Sequence, residues 1–106
     1  MALEITNLRV IAAESEKKGP GPEASMLKVK GTEIQQMLTE LMMQALGSHS
    51  LLWQPEALDA GYQGEVSGPD FGPPLTGEYF NFRKASIYAG SNEIQRNIIS
   101  KMMLGL

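Results

Sequence analysis

Apolar residues recur at helical spacing along four stretches of the chain, with Gly and Pro marking the gaps between them. From Ala2 to Lys18, Ile5, Leu8, Ile11 and Ala12 fall on one side of a helical period. Lys17 and Lys18 complement the negative end of that helix, Gly19 supplies a left-handed cap, and Pro20-Gly21-Pro22 breaks the chain. The second stretch, 22–46, is the clearest. Pro22 suits a first helical position and Glu23 favours the positive helix end. Leu27, Gly31, Ile34, Leu38, Leu41 and Ala45 then alternate by four and three, a narrow seam that Met37, Met42 and Leu46 broaden before Gly47 ends the run. At 1.5 Å per residue this helix is about 37 Å long. A hairpin of the first two helices would leave much of the seam wet, so helices from outside the chain are expected to cover it.

Residues 48–76 read as one long connection rich in Gly and Pro. Leu51, Leu52, Trp53 and Phe71 argue against disorder because such side chains seek burial. A surface-wrapping segment with one short helical turn near Glu56 to Asp59 is expected. A third helix is predicted over 77–89 with Thr76 as its N-cap and Glu78 in its first turn, stopped by Gly90. Ser91 caps a fourth, over 92–104, whose Ile94, Ile98, Ile99, Met102 and Met103 form an apolar face before Gly105. The pattern predicts an all-α fold, a partial antiparallel helix bundle forming a single domain over 1–106.

Composition narrows the chemistry. The 106 residues are 42% hydrophobic and 20% charged, which fits one ordinary globular domain. A net charge of −3 gives no electrostatic reason to expect nucleic acid or an anionic membrane as partner. No apolar run approaches the roughly 20 residues of a membrane span. The absence of Cys excludes disulfides and thiolate metal sites. His49 is the one histidine, and no Asp or second His stands at a spacing that would complete a triad or a metal set. Seven Met residues suit irregular helix–helix contacts.

Two segments carry a resemblance. Gly21-Pro22-Glu23-Ala24-Ser25-Met26-Leu27-Lys28-Val29-Lys30-Gly31-Thr32-Glu33 resembles a helix opening of the acyl-CoA dehydrogenases. Ile87-Tyr88-Ala89-Gly90-Ser91-Asn92-Glu93-Ile94-Gln95-Arg96-Asn97-Ile98-Ile99, with Leu104-Gly105-Leu106, is similar to that family's C-terminal signature. The resemblance implies a C-terminal helical domain, with the family's N-terminal helical domain and middle β domain outside this chain. Met1 would then mark either a truncation or a fragmentary reading frame, and the chain alone would lack activity. It implies FAD as cofactor of the parent protein, an acyl-CoA substrate, an electron-transfer acceptor, and a homo-oligomer (dimer or tetramer) built through the helices. The compartment would be the cytoplasm in a bacterium or the mitochondrial matrix in a eukaryote. The family reaction removes the α proton of an acyl-CoA thioester with a carboxylate while the β hydrogen leaves as hydride to FAD.

Carried over residue by residue, the signature assigns Tyr88 and Gly90 to substrate and Ser91, Asn92 and Glu93 to cofactor. Some members carry Gln at the position of Glu93, and a carboxylate would repel a pyrophosphate, so Glu93 is expected to point elsewhere. Ala89 occupies the position where some branches place the base Glu, and a methyl group cannot accept a proton. Either the base lies on an earlier helix, as in other branches, or the parent is a non-catalytic partner in a mixed oligomer. A helical module serving only assembly is the alternative. For Gln95 and Arg96 a solvated or salt-bridging role is expected. Gly61-Tyr62-Gln63-Gly64 matches poorly the Gly-Gly-x-Gly turn with which many members reach a neighbouring subunit's FAD. The Gly68-Pro69-Asp70-Phe71 and Pro74-Leu75-Thr76-Gly77-Glu78-Tyr79-Phe80 blocks look like a divergent branch acting on bulky or unusual acyl groups.

Overall fold

The computed structural model describes residues 1–16 and 19–106. Among them all regular structure is helical: α1 (Ala2–Ser15), α2 (Pro22–Leu46), α3 (Gly72–Phe82) and α4 (Asn92–Leu104), with 3-10 turns at Gly47–Leu51, Pro55–Leu58 and Arg83–Ser86. The fold is all-α. The chain divides into two compact units, residues 1–34 with 85–106, and residues 35–84. No helix among the described residues is long and apolar enough to cross a membrane.

In the first unit, α1 buries no residue. Its half-buried side is Leu3, Thr6, Val10 and Ala13. The face predicted to pack is the other one, and Ile5, Leu8 and Ile11 are 52%, 65% and 53% exposed. The helix is apolar on two sides, and the smaller side is the one used within the chain. The expected continuation of α1 through Lys17 and Lys18 lies outside the described residues.

α2 opens on Pro22, whose missing N–H costs nothing at a helix start, and gives way to Gly47 at φ +59. Its inward face differs from the predicted seam. In the first unit Ser25, Val29 and Thr32 are buried; in the second Thr39 and Leu46 are buried, with Gln36 and Met43 half-buried. These positions also alternate by four and three, but they are offset by two residues from Leu27, Gly31, Ile34, Leu38, Leu41 and Ala45. At 100° per residue the two stripes lie roughly 200° apart, on opposite sides of the helix. The small and polar stripe packs within the chain. The apolar stripe does not: Ile34, Leu38 and Leu41 are 44%, 51% and 52% exposed.

In the second unit, α3 begins at Gly72, five residues before the predicted start, so Thr76 is an interior helical residue rather than an N-cap, and it is buried. The Gly72-Pro73-Pro74 run reads as a breaker, yet prolines in a first turn forgo N–H groups that have no intrahelical partner there. α3 also ends earlier, at Phe82, and continues only as the 3-10 turn Arg83–Ser86. A reciprocal clasp fixes that end. Gln36 Nε2 donates to the carbonyls of Phe82 (3.3 Å) and Arg83 (3.2 Å), while Arg83 Nη2 donates to the Gln36 carbonyl at 2.8 Å. The Arg83 guanidinium lies 4.4 Å from the centroid of the Tyr79 ring.

The expected long loop is shortened at both ends and contains the 3-10 turn Pro55–Leu58. Gln54 pins it by accepting from Ser67 N at 2.8 Å and donating to Ser67 O at 3.2 Å. Its large apolar residues stay exposed, Trp53 at 60% and Phe71 at 65%. Among the described residues the buried apolar side chains are Val29, Leu46, Pro73 and Ala85. Burial contributes about 25 cal/mol per Å² of apolar area, so the faces that would stabilise these helices most remain uncovered.

Candidate functional site

The segment from Tyr88 to Glu93 is built as a sharp passage into α4. Ala89 sits at φ 55 and Gly90 at φ 81, two consecutive left-handed residues. The first is unusual, since a Cβ disfavours that region by about 1 kcal/mol. At Gly90 the left-handed φ is what favours glycine, since a Cβ there would meet only the end of the flexible Gln95 side chain, at 2.7 Å from Nε2. Tyr88, Ala89 and Gly90 are all exposed.

Ser91 follows as the N-cap of α4, in extended geometry, its Oγ accepting from Ile94 N at 3.3 Å. Asn92, the first helical residue, is buried, and its side chain faces α2. Lys28 Nζ donates to Asn92 Oδ1 at 2.8 Å, and Asn92 Nδ2 donates to Thr32 Oγ1 at 3.1 Å. One helix turn on, Arg96 Nη2 contacts Glu33 Oε1 at 3.2 Å, and Lys30 reaches the other oxygen of the same carboxylate at 2.8 Å. The start of α4 is thus fastened to α2 by a buried amide and an exposed ion triad. Lys30 first, with Arg96, holds the Glu33 carboxyl below its usual range.

Glu93 is exposed, and its carboxylate turns back on its own backbone N–H and on Ser91, with Arg96 and Lys28 nearby, which lowers its pKa. The positive end of α4 is therefore already served by a carboxylate from within the chain.

This geometry limits what the α4 start can hold. A diphosphate would face Glu93 and find N–H groups already engaged, so the site as built does not fit that part of FAD. It does fit an uncharged edge with donors and acceptors, since Ser91 and the neighbouring main chain are at the surface. Of the residues assigned to cofactor, Ser91 is half-buried with its hydroxyl engaged by Ile94 N and Glu93, leaving it one acceptor position, Asn92 has its amide committed to α2, and Glu93 is drawn inward to its own helix. Tyr88 and Gly90 stand together on the exposed approach. Ala89 presents a methyl group and no titratable function.

His49 lies in the 3-10 turn Gly47–Leu51, with its ring where a Cβ on Gly68 would be at 2.6 Å. Among the described residues no three His, Cys, Asp or Glu side chains could hold a metal together. The bond set at Lys28, Thr32 and Asn92 carried no signal in sequence, because its members lie 60 and 64 positions apart.

No curated protein and no solved structure matches the chain significantly. The family model described as acyl-CoA dehydrogenase, C-terminal domain, matches residues 1–104. It spans the two segments quoted above and all four helices, so the chain belongs to the acyl-CoA dehydrogenase C-terminal domain family.

Proposed function

We propose that the chain serves as the C-terminal helical wall of an FAD-dependent acyl-CoA dehydrogenase. In this reading it lines one side of the flavin and acyl site through the Tyr88–Glu93 passage and supplies helix faces for assembly into a homo-oligomer. The match over residues 1–104 carries the reading, with the apolar faces of α1 and α2 left open as further support. Bound flavin would supply the acceptor for hydride in the α,β-dehydrogenation of an acyl-CoA thioester. Ser91 would accept at its hydroxyl oxygen from an N–H on an uncharged flavin edge, and Tyr88 and Gly90 would border the acyl thioester. Ala89 would line the approach without taking a proton, so the base must come from another part of the parent. Reduced flavin would pass its electrons to a separate acceptor.

The methyl group of Ala89 also favours a second reading, in which the domain belongs to a non-catalytic subunit or a pure assembly module. Flavin binding separates the two. The chain alone should retain no stoichiometric FAD after desalting, whereas the same chain joined to the reading frame upstream of Met1 should, and Ser91→Ala should weaken that retention. Flavin retained by the chain alone overturns the first reading. An upstream sequence that encodes no β domain favours the second.

A further inference from the structure

The second unit contains a groove of about 930 Å³, walled by Met43, Leu51, Trp53, Tyr79 and Phe80. Its walls are largely apolar, yet Glu40 stands in the lining. That carboxylate makes no hydrogen bond or ion pair among the described residues. An occupant that covers this groove has to bring apolar groups and a cation, because a carboxylate desolvated without a partner is costly.

The chain carries a surface with that chemistry. On α4, Ile94, Ile98 and Met102 are 52%, 37% and 54% exposed. Lys101 stands seven residues after Ile94, which at 100° per residue puts it within roughly 20° of Ile94 on the same face. Lys101 is exposed and also makes no ion pair among the described residues. A lone cation within an apolar helix face is the complement of a lone carboxylate within an apolar groove. The start of α4 is held to its own α2 by Asn92 and Arg96, which leaves the later turns, with Ile98, Lys101 and Met102, to be offered outward.

We propose that the groove receives the apolar face of α4 from a second copy of the chain, with Lys101 of one copy paired to Glu40 of the other. The proposal rests on the self-association advanced above and adds a contact beside the open faces of α1 and α2. Each copy thus offers one groove and one α4 face to its neighbours.

Three measurements on the 106-residue chain test it. Trp53, its one tryptophan, is 60% exposed and lines the groove. Its emission should shift to the blue with rising concentration, at the midpoint of association. Glu40→Lys and Lys101→Glu should each weaken association about tenfold, and the double variant should restore it to within about threefold of wild type. Both sites are exposed, so circular dichroism should find the helices intact. Because the chain has no Cys, Gln44→Cys and Met102→Cys can be mixed, and a disulfide-linked heterodimer should form. Association that persists without the cross-link, without charge rescue and with unchanged Trp53 emission overturns the groove assignment while leaving self-association standing. A monomeric wild type removes both. A blue-shifted Trp53 at every concentration, in a monomer, means that the groove is filled from within one copy and also overturns the proposal.

Discussion

Replacing Asn92 by Ala should reveal what holds α4 in place. The side chain is 5% exposed and makes two bonds to α2. One is charge-assisted, from Lys28 Nζ at 2.8 Å, and the other is neutral, to Thr32 Oγ1 at 3.1 Å. A hydrogen bond to a charged group contributes about 1.5–3 kcal/mol and a neutral one about 1 kcal/mol. Lys28 is only half-buried, so water can repair part of its loss. The buried Thr32 hydroxyl keeps its donor bond to the Lys28 carbonyl at 2.9 Å and loses only an acceptor role. The expected cost of Asn92→Ala is therefore about 2–3 kcal/mol, read by urea unfolding at 222 nm with protein concentration held fixed. Asn92→Asp is the discriminating control. A carboxylate still accepts from Lys28, and the Thr32 hydroxyl, 3.3 Å from Oδ1, can turn to donate. It also adds negative charge at a helix start. Its cost should stay within about 0.5 kcal/mol. Equal losses in the two variants, or a loss below about 0.5 kcal/mol for Asn92→Ala, would refute the assignment of the bond set as the fastening.

Three further outcomes follow from the same site. Ala89→Gly should stabilise the chain by about 0.5–1 kcal/mol, because it relieves a left-handed alanine at φ 55; destabilisation would mean that the methyl group makes a contact that matters. Glu33 and Glu93 have folded-state pKa values below the ordinary 4.5, so the stability they contribute is fully present above that value and lost as pH falls through the lowered ones. Glu33→Gln with Glu93→Gln should flatten the acid limb of the stability profile below pH 4.5. In a catalytically active full-length parent, Ala89→Glu should lower turnover at neutral pH by placing a second carboxylate near the base; activity gained in an inactive parent would favour the non-catalytic reading.

Local punctuation made much of the fold legible. Pro22 and the left-handed Gly47 delimit α2, and Ser91 and Gly105 delimit α4, where the cap bond and a φ of 71 are both observed. The start of α3 was not legible because Pro73 and Pro74 break a helix interior but suit a first turn. The choice of packing face was not legible either. α2 carries two alternating stripes on opposite sides, and hydrophobicity points to the one that is exposed. Periodicity identifies a face that some partner can cover; it does not say whether the partner is in the same chain. At the site, the Tyr88–Glu93 string was readable by resemblance. The commitment of Asn92 to Lys28 and Thr32 required the fold, since it joins positions 60 or more residues apart.

Sedimentation equilibrium of the 106-residue chain, beside a Leu38→Lys variant, bears most directly on the claim that the outer stripe of α2 is an interface. Leu38 is 51% exposed and lies opposite the stripe that packs within the chain, so the substitution removes no intramolecular contact of that stripe. The wild type should associate in a concentration-dependent way, with association weakened about tenfold or more in Leu38→Lys and equal helix content in both. A wild type that remains a compact monomer at high concentration, or a Leu38→Lys variant that associates as wild type does, would contradict that claim.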